Sequence, residues 1–227
     1  MKDEFLLAEY ILPSGSSRYS GLMPSLDDLL TKAGLMSQEL GGLMVAVGPG
    51  SFTGIRIGLS IIKGLSESLD IPIVGVPTLE AMASQVSCLN EDICPLVASR
   101  KGEVFTALFR WSKRGELLRV KKDTCVKIAE IATVLEAKTV FIGNNLAQQG
   151  PVLKQLLGAN TLLAPSNLWT LRASSVGMVG LRRLRKGESD NSSELVPLYL
   201  RGADIRPPIS KESTPIEDPP MRGGTWP

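Results

Sequence analysis

The chain has 227 residues and a formal net charge of +2, from 25 basic and 23 acidic side chains. This length suits one large domain or two smaller ones, and the balanced charge gives no reason to expect nucleic-acid binding by the chain as a whole. The sequence contains no histidine. That absence excludes Ser-His-Asp and Cys-His hydrolysis, histidine general-base catalysis and histidine-ligated zinc.

The cysteines and the apolar runs narrow the class of protein further. Cys88, Cys94 and Cys125 form no CxxC pair and leave an odd count, so a disulfide framework is not expected. No apolar run has the length of a membrane span, and the first residues lack a secretory signal. We therefore expect a cytoplasmic protein with no membrane association and no metal site.

The first part of the chain alternates apolar runs with capped amphipathic segments. This order predicts β-α-β-α-β-α and a mostly parallel sheet covered by helices, the α/β class. The predicted elements are a strand over 5–12, a helix from Ser17 or Ser20 to Ala33, a strand over 43–47, a helix over 52–69, a strand within 70–77, and a helix from Thr78 to about Ser87.

From residue 93 the pattern changes to strands joined by hairpin turns. The predicted elements are strands over 93–98, 103–111 and 116–126, a helix over 127–136, a strand over 139–142, a helix over 146–157, a strand over 161–164 and a helix over 173–185. They indicate a second α/β unit. The end of the chain, 205–227, combines prolines with charges and predicts a disordered tail.

Two predicted helices carry apolar stripes. On the first helix, leucines recur at i, i+4, i+7 and i+8, one face of a helix; they are Leu22, Leu26, Leu29 and Leu30. The second helix has a comparable face of Gly58, Ile61, Ile62 and Leu65. Glycine costs about 1 kcal/mol relative to alanine inside a helix. Three helical glycines, Gly54, Gly58 and Gly64, therefore indicate close approach of another backbone.

A glycine-rich turn separates the strand at 43–47 from the second helix. Gly48, Gly50, Ser51 and Thr53 lie where the free N–H groups of a helix start favour an anion. The spacing G-x-G-x-x-x-G is one residue longer than the dinucleotide fingerprint, and no P-loop motif is present. The turn is therefore either a phosphate-binding loop or a tight strand-to-helix reversal. Arg56 would contact a phosphate or form a surface salt bridge.

The run Gly48-Pro-Gly-Ser-Phe-Thr-Gly-Ile-Arg-Ile-Gly58 closely resembles the TsaB family, also called YeaZ. Further landmarks match in order: Arg18-Tyr-Ser20, Gly75-Val-Pro-Thr-Leu-Glu-Ala81, Ala98-Ser-Arg-Lys-Gly-Glu-Val104 and Pro197-Leu-Tyr-Leu-Arg201. The resemblance covers residues 3 to about 204. It implies an actin-like ATPase (ASKHA) fold of two RNase H-like subdomains, over 1–92 and 93–204.

The resemblance also implies a function. Family members act in placing a threonylcarbamoyl group on a tRNA adenosine next to the anticodon. The chain would be a non-catalytic scaffold subunit that binds TsaD, together with the ATPase TsaE. The two striped helices would contact TsaD, or a second copy of the chain in isolation. The complex would use ATP and hold the tRNA, with no cofactor bound by this chain.

An actin-fold kinase or nucleotide hydrolase, with an Asp or Glu as base, is the alternative, and the missing histidines argue against a peptidase. One departure from the family matters for this choice. Family members begin with a β-hairpin, before the strand matched here by 5–12, and this sequence has none. Its absence removes central strands of the first subdomain and the acidic residue and phosphate loop of the nucleotide site. We therefore expect a late start or a truncated chain, little nucleotide binding, and a glycine turn that orients the helix over 52–69 for a partner.

Overall fold

The computed structural model describes residues 1–11, 21–87, 90–135 and 137–200. Helices and strands alternate through these ranges much as the sequence predicts. In chain order they are α1 (Leu22–Lys32), β1 (Leu43–Gly48), α2 (Phe52–Leu69), β2 (Ile73–Pro77), α3 (Thr78–Ala83), β3 (Asp92–Ala98), β4 (Glu103–Trp111), β5 (Leu117–Lys127), β6 (Thr139–Gly143), α4 (Leu146–Leu157), β7 (Thr161–Leu163) and α5 (Ala173–Arg185).

The strands form two sheets within the described ranges. The first contains β1 and β2, which are parallel and run in register from Leu43 opposite Ile73. The second has the order β5-β4-β3-β6-β7. Its β5, β4 and β3 are antiparallel neighbours, and β6 and β7 add to β3 in parallel. The short hairpin turns predicted for 93–126 explain why β3, β4 and β5 are antiparallel, because two antiparallel strands can be joined by a turn of only a few residues.

The central strands of the second sheet are buried on both faces. On one face, α3 supplies Leu79 and Met82 to a cluster with Phe109 and Ile142. On the other face, α4 supplies Leu146 and Leu153 to a cluster with Phe141 and other strand residues. Strands covered on both faces read as continuous apolar runs, which explains why β3 and β6 are recognisable in the sequence.

Helix α5 follows the last strand of the second sheet in the sequence, but it packs on the first sheet. Its Val176 and Val179 are buried with Val74 and Val76 of β2. A Cβ added at Gly180 would collide with the Met44 side chain of β1, so the small residue lets the helix lie close to the sheet. Helix α3 contributes to both hydrophobic clusters, with Leu79 on the second sheet and Ala81 on the first, and Leu171 packs against both of them.

Three sequence predictions are wrong in the described residues. The strand over 5–12 is absent, since residues 6–11 belong to no helix or strand and Phe5 makes only an isolated bridge with Lys2. A strand needs a neighbouring strand, and residues 6–11 pair with neither β1 nor β2. The helix over 127–136 is a 3-10 segment, Ile128–Val134. The helix predicted to reach about Ser87 ends at Ala83.

Other predictions fall partly or wholly outside these ranges. Leu12, the early helix starts at Ser17 and Ser20, and residues 205–227 are outside the described residues.

Candidate functional site

The glycine-rich turn brings its predicted residues together between β1 and α2. Gly48 has a φ of +117°, a conformation that favours glycine, and the Gly48–Pro49 peptide is cis. Ser51 is the N-cap of α2, and its hydroxyl accepts a hydrogen bond from the Gly54 N–H at 3.2 Å. The side chain of Ser51 is therefore engaged by the helix that it starts. Gly50 and Thr53 are exposed beside it.

A segment from the end of the described chain closes the turn from one side. The Leu198 N–H donates to the Val47 carbonyl at 2.8 Å. A Cβ added at Gly48 would lie 2.8 Å from the Leu198 carbonyl oxygen. An anion next to Gly48 would thus meet a carbonyl oxygen, which has a partial negative charge. The geometry suits a strand-to-helix reversal in which the main chain at Leu198 occupies the space next to Gly48.

The same segment continues along the edge of the first sheet. The Asp190 N–H donates to the Ile73 carbonyl at 2.9 Å, and the Asp190 carboxylate accepts from the Gly75 N–H at 2.8 Å. Arg183 of α5 donates to the Gly75 carbonyl at 2.7 Å. Leu195 then packs closely over Gly75. Residues 190–198 therefore cross from β2 to the end of β1 and are held by main-chain hydrogen bonds at both ends.

Arg56 has partners that the sequence did not predict. Its Nε donates to the Tyr199 hydroxyl at 2.8 Å, and its guanidinium lies 3.8 Å from the centre of the Phe52 ring. The Phe52 and Tyr199 rings stack with centroids 5.3 Å apart. Arginine over an aromatic face gains a cation–π attraction. This cluster fastens the segment that contains Leu198 to the first turn of α2. Tyr199 belongs to a sequence landmark, but the spacing gives no sign of its partner.

Helix α1 carries an apolar stripe that takes no part in the described core. None of its residues is buried. The four stripe leucines are half-buried and belong to none of the four hydrophobic clusters: Leu22, Leu26, Leu29 and Leu30. Among the described residues, no other helix or strand makes more than marginal contact with α1. Within the described residues, the stripe therefore takes no part in a hydrophobic core.

Helix α2 divides its apolar residues between two faces. Leu59, Ile55 and Ile62 pack against β1 and β2, and a Cβ added at Gly58 would lie 3.8 Å from Val45 of β1. The structure thus places Gly58 and Ile62 toward the chain's own sheet. Ile61 and Leu65 are half-buried and outside the four clusters. A Cβ added at Gly64 would meet nothing within 4 Å, so no backbone of the described residues requires glycine there.

An acidic side chain that the sequence did not single out connects the first residues to α5. The Glu9 carboxylate is only 4% exposed and pairs with the Arg172 guanidinium, with the Nε at 2.8 Å. Its other oxygen accepts from the Ser174 N–H at 2.7 Å, in the first turn of α5. Burial raises the pKa of Glu9, but the hydrogen bonds from Arg172 and Ser174 outweigh it and hold the pKa below the usual value.

The neighbouring Tyr10 connects the same segment to α1. Its hydroxyl donates to the Asp28 carboxylate and accepts from Lys32 Nζ at 3.1 Å. Lys32 also pairs with Asp28 at 2.8 Å. Hydrogen bonds from Lys32 and Tyr10 lower the pKa of Asp28. A glutamate and a tyrosine inside the apolar run FLLAEYIL were the available sequence signal for these contacts.

The described residues offer little to a metal ion or a membrane. They contain no group of three or more Cys, Asp or Glu side chains placed to hold a metal. Within the same residues, no helix combines the length and the apolar character needed to span a bilayer. Asp92, the first residue of β3, is 3% exposed and pairs with Arg110 at 2.5 Å.

Comparison with known protein families finds a match over most of the chain. A family model described as "TsaD: tRNA N6-adenosine threonylcarbamoyltransferase" matches residues 11–204. A Bacillus subtilis protein named tRNA threonylcarbamoyladenosine biosynthesis protein TsaB is 31% identical over 207 residues, 90% of this chain and 88% of the relative. A Haemophilus influenzae protein of the same name is 25% identical over 79% of this chain and 78% of the relative.

Solved structures agree on the fold. A Pseudomonas aeruginosa protein described as similar to peptidase YEAZ superposes with a TM-score of 0.67 at 21% identity, covering 80% of this chain and 83% of that one. YeaZ from the same organism gives a TM-score of 0.65 at 20% identity, over 79% and 84% of the two chains. Together with the family match, these structures confirm the actin-like ATPase (ASKHA) fold that the sequence predicts.

Proposed function

Because this chain belongs to the TsaB family of tRNA threonylcarbamoyladenosine biosynthesis proteins, we propose that it is a non-catalytic scaffold subunit. Its partner is TsaD, with which TsaE also acts, and the complex threonylcarbamoylates a tRNA adenosine next to the anticodon. The chain meets tRNA only through the complex, in the cytoplasm and away from membranes. The observation that carries the proposal is the apolar surface of α1 and α2 that the described core leaves unused.

The proposed partner surface consists of the side chains that lack core partners. They are Leu22, Leu26, Leu29 and Leu30 of α1 with Ile61 and Leu65 of α2. Gly58 and Ile62 lie on the side of α2 that faces the sheet, so they support the surface by packing α2 against β1 and β2. Six half-buried apolar side chains on these two helices lie outside the hydrophobic clusters, and unused apolar surface of this kind marks interaction sites. In isolation a second copy of the chain would cover the same surface.

The residues of the chain also support the non-catalytic part of the proposal. The sequence has no histidine, which removes the commonest general base and a frequent metal ligand. At the glycine turn, the Ser51 hydroxyl caps α2 and the Leu198 carbonyl faces Gly48. We therefore assign ATP use and metal chemistry to the partner subunits. The kinase or hydrolase alternative gains no support from this turn.

Complex formation tests the proposal. The full chain, mixed with TsaD from the same organism, is expected to elute as one complex in size-exclusion chromatography. Leu26→Asp and Leu29→Asp on α1 should abolish that complex, since each buries a charge in an apolar interface. Leu118→Asp is the matched control: Leu118 is 50% exposed on β5, away from α1. Loss of the complex in the control as well, or its persistence in both α1 variants, would refute the proposed surface.

Calorimetry with ATP and Mg²⁺ distinguishes the non-catalytic scaffold from the kinase or hydrolase alternative. We expect no measurable heat of binding for the isolated chain. Tight binding would favour the actin-fold kinase or hydrolase.

A further inference from the structure

Helix α1 requires an external anchor. It has 11 residues, and an isolated helix of that length is only marginally stable in water. None of its residues is buried, and no described helix or strand packs closely on it. Whatever fixes the orientation of α1 must therefore come from the irregular segments next to it.

Two consecutive residues provide such an anchor. Tyr10 contacts α1 by hydrogen bonds to Asp28 and Lys32. Glu9, one residue earlier, contacts α5 through Arg172 and the Ser174 N–H. The segment therefore joins a helix that lacks a core to a helix that is packed on the first sheet.

The Glu9 end of this connection is a built site. The carboxylate is almost fully buried, it receives hydrogen bonds on both oxygens, and it lies at the N-terminus of a 13-residue helix, where a negative charge is favoured. Its partner Arg172 is fixed in turn, because the Arg172 N–H donates to Gln85 at 2.8 Å. The Gln85 amide also donates to the carbonyls of Leu168 and Thr170, at 2.8 and 3.1 Å.

We propose that Glu9 and Tyr10 form a clasp that positions helix α1 on the body of the chain, and so presents its leucine stripe to the partner. This inference rests on the proposed function for the identity of the partner, but the clasp itself is a property of the isolated chain. Glu9 and Tyr10 are positioning residues, since they act on the partner through α1. The exposed Tyr10 end is the weaker end, and the buried Glu9 end is the stronger one.

Hydrogen exchange measured by mass spectrometry on the full, isolated chain tests the clasp. Glu9→Gln and Tyr10→Phe are each expected to speed exchange of the α1 amides about two- to tenfold, the size expected for the loss of a single hydrogen bond. Amides of β3 and β6, in the second sheet, should exchange as in the wild type. Glu4→Gln is the matched control, since Glu4 lies in the same N-terminal segment and its carboxylate pairs with Arg185 of α5 at 2.8 Å.

The two variants separate positioning from general destabilisation. If Glu9→Gln speeds exchange throughout the chain, the test of the clasp rests on Tyr10→Phe. The Tyr10 hydroxyl is exposed, so we expect its removal to leave the rest of the fold intact. Unchanged α1 exchange in Tyr10→Phe, or an equal effect of Glu4→Gln on α1, overturns the clasp.

Affinity for TsaD provides the second measurement. Where the wild-type chain binds TsaD, each clasp variant should bind about fivefold or more weakly, and unchanged affinity overturns the positioning role. Where the wild-type chain does not bind TsaD, the proposed function fails, and the exchange experiment still decides whether the clasp exists.

Discussion

Replacing Gly48 by alanine tests the account of the glycine turn most sharply. Gly48 has a φ of +117°, and an added Cβ would lie 2.8 Å from the Leu198 carbonyl oxygen. An unfavourable backbone conformation costs about 1–3 kcal/mol, and the clash moves a main-chain oxygen rather than a flexible side chain. We therefore expect Gly48→Ala to lower the free energy of unfolding by about 2–4 kcal/mol. The melting temperature should fall by about 5–15 °C for a chain of this size.

Gly50→Ala is the matched control for this substitution. A Cβ there would lie 3.5 Å from the Ile55 side chain, an ordinary van der Waals contact. Its effect should remain within about 0.5 kcal/mol. Both variants are measured by urea and thermal denaturation followed by circular dichroism. If Gly48→Ala is as stable as Gly50→Ala, Leu198 does not close the turn, and the argument against an anion site there fails.

Three further predictions concern separate contacts. Because the pKa of Glu9 is lowered in the folded chain, the stabilisation by its carboxylate should be complete above the ordinary value of 4.5 and should disappear as the pH falls through the folded-state value. The difference in unfolding free energy between wild type and Glu9→Gln, measured by denaturation from pH 7 to pH 3, should therefore shrink as the pH falls. A constant difference would contradict this prediction. Tyr199→Ala should speed hydrogen exchange over 195–200, because it removes the ring stacked on Phe52 and the acceptor of Arg56; no change there would show that the cluster does not hold the segment. Burial raises the pKa of the Cys94 thiol to about 12, so alkylation mapped by mass spectrometry should modify the half-buried Cys125 before Cys94 in the native chain. Faster labelling of Cys94 than of Cys125 would contradict the burial of Cys94.

The sequence predicts the regular elements well where local pattern and tertiary environment agree. The helix over 52–69 has the predicted bounds, because Ser51 caps its start and its apolar residues recur on a sheet-facing side. Strands β3, β4 and β6 of the second sheet are recognisable because most of their residues are buried on both faces. The strand over 5–12 is wrong for the converse reason. An apolar run predicts a strand only if another strand pairs with it, and pairing is not visible in a local pattern.

The site depends on contacts between distant residues, which spacing does not reveal. Arg56 lies 143 positions from Tyr199, and Glu9 lies 163 positions from Arg172. No periodicity connects such pairs. The sequence also predicts a single stripe on α2, but in the structure Ile62 packs in a cluster with β1 and β2 while Ile61 belongs to none of the four clusters. The stripe on α1, by contrast, depends only on the local sequence pattern, and the structure contains the helix that this pattern predicts.

Reconstituted modification of tRNA tests the central claim most directly. The measurement is the amount of threonylcarbamoyladenosine formed on tRNA by TsaD and TsaE with ATP, in the presence and absence of this chain. A scaffold subunit should be required for full modification. The requirement should be met by a chain carrying Thr53→Ala at the glycine turn but not by one carrying Leu26→Asp on α1. Modification that proceeds equally well without the chain, or with the Leu26→Asp variant, would contradict the scaffold role.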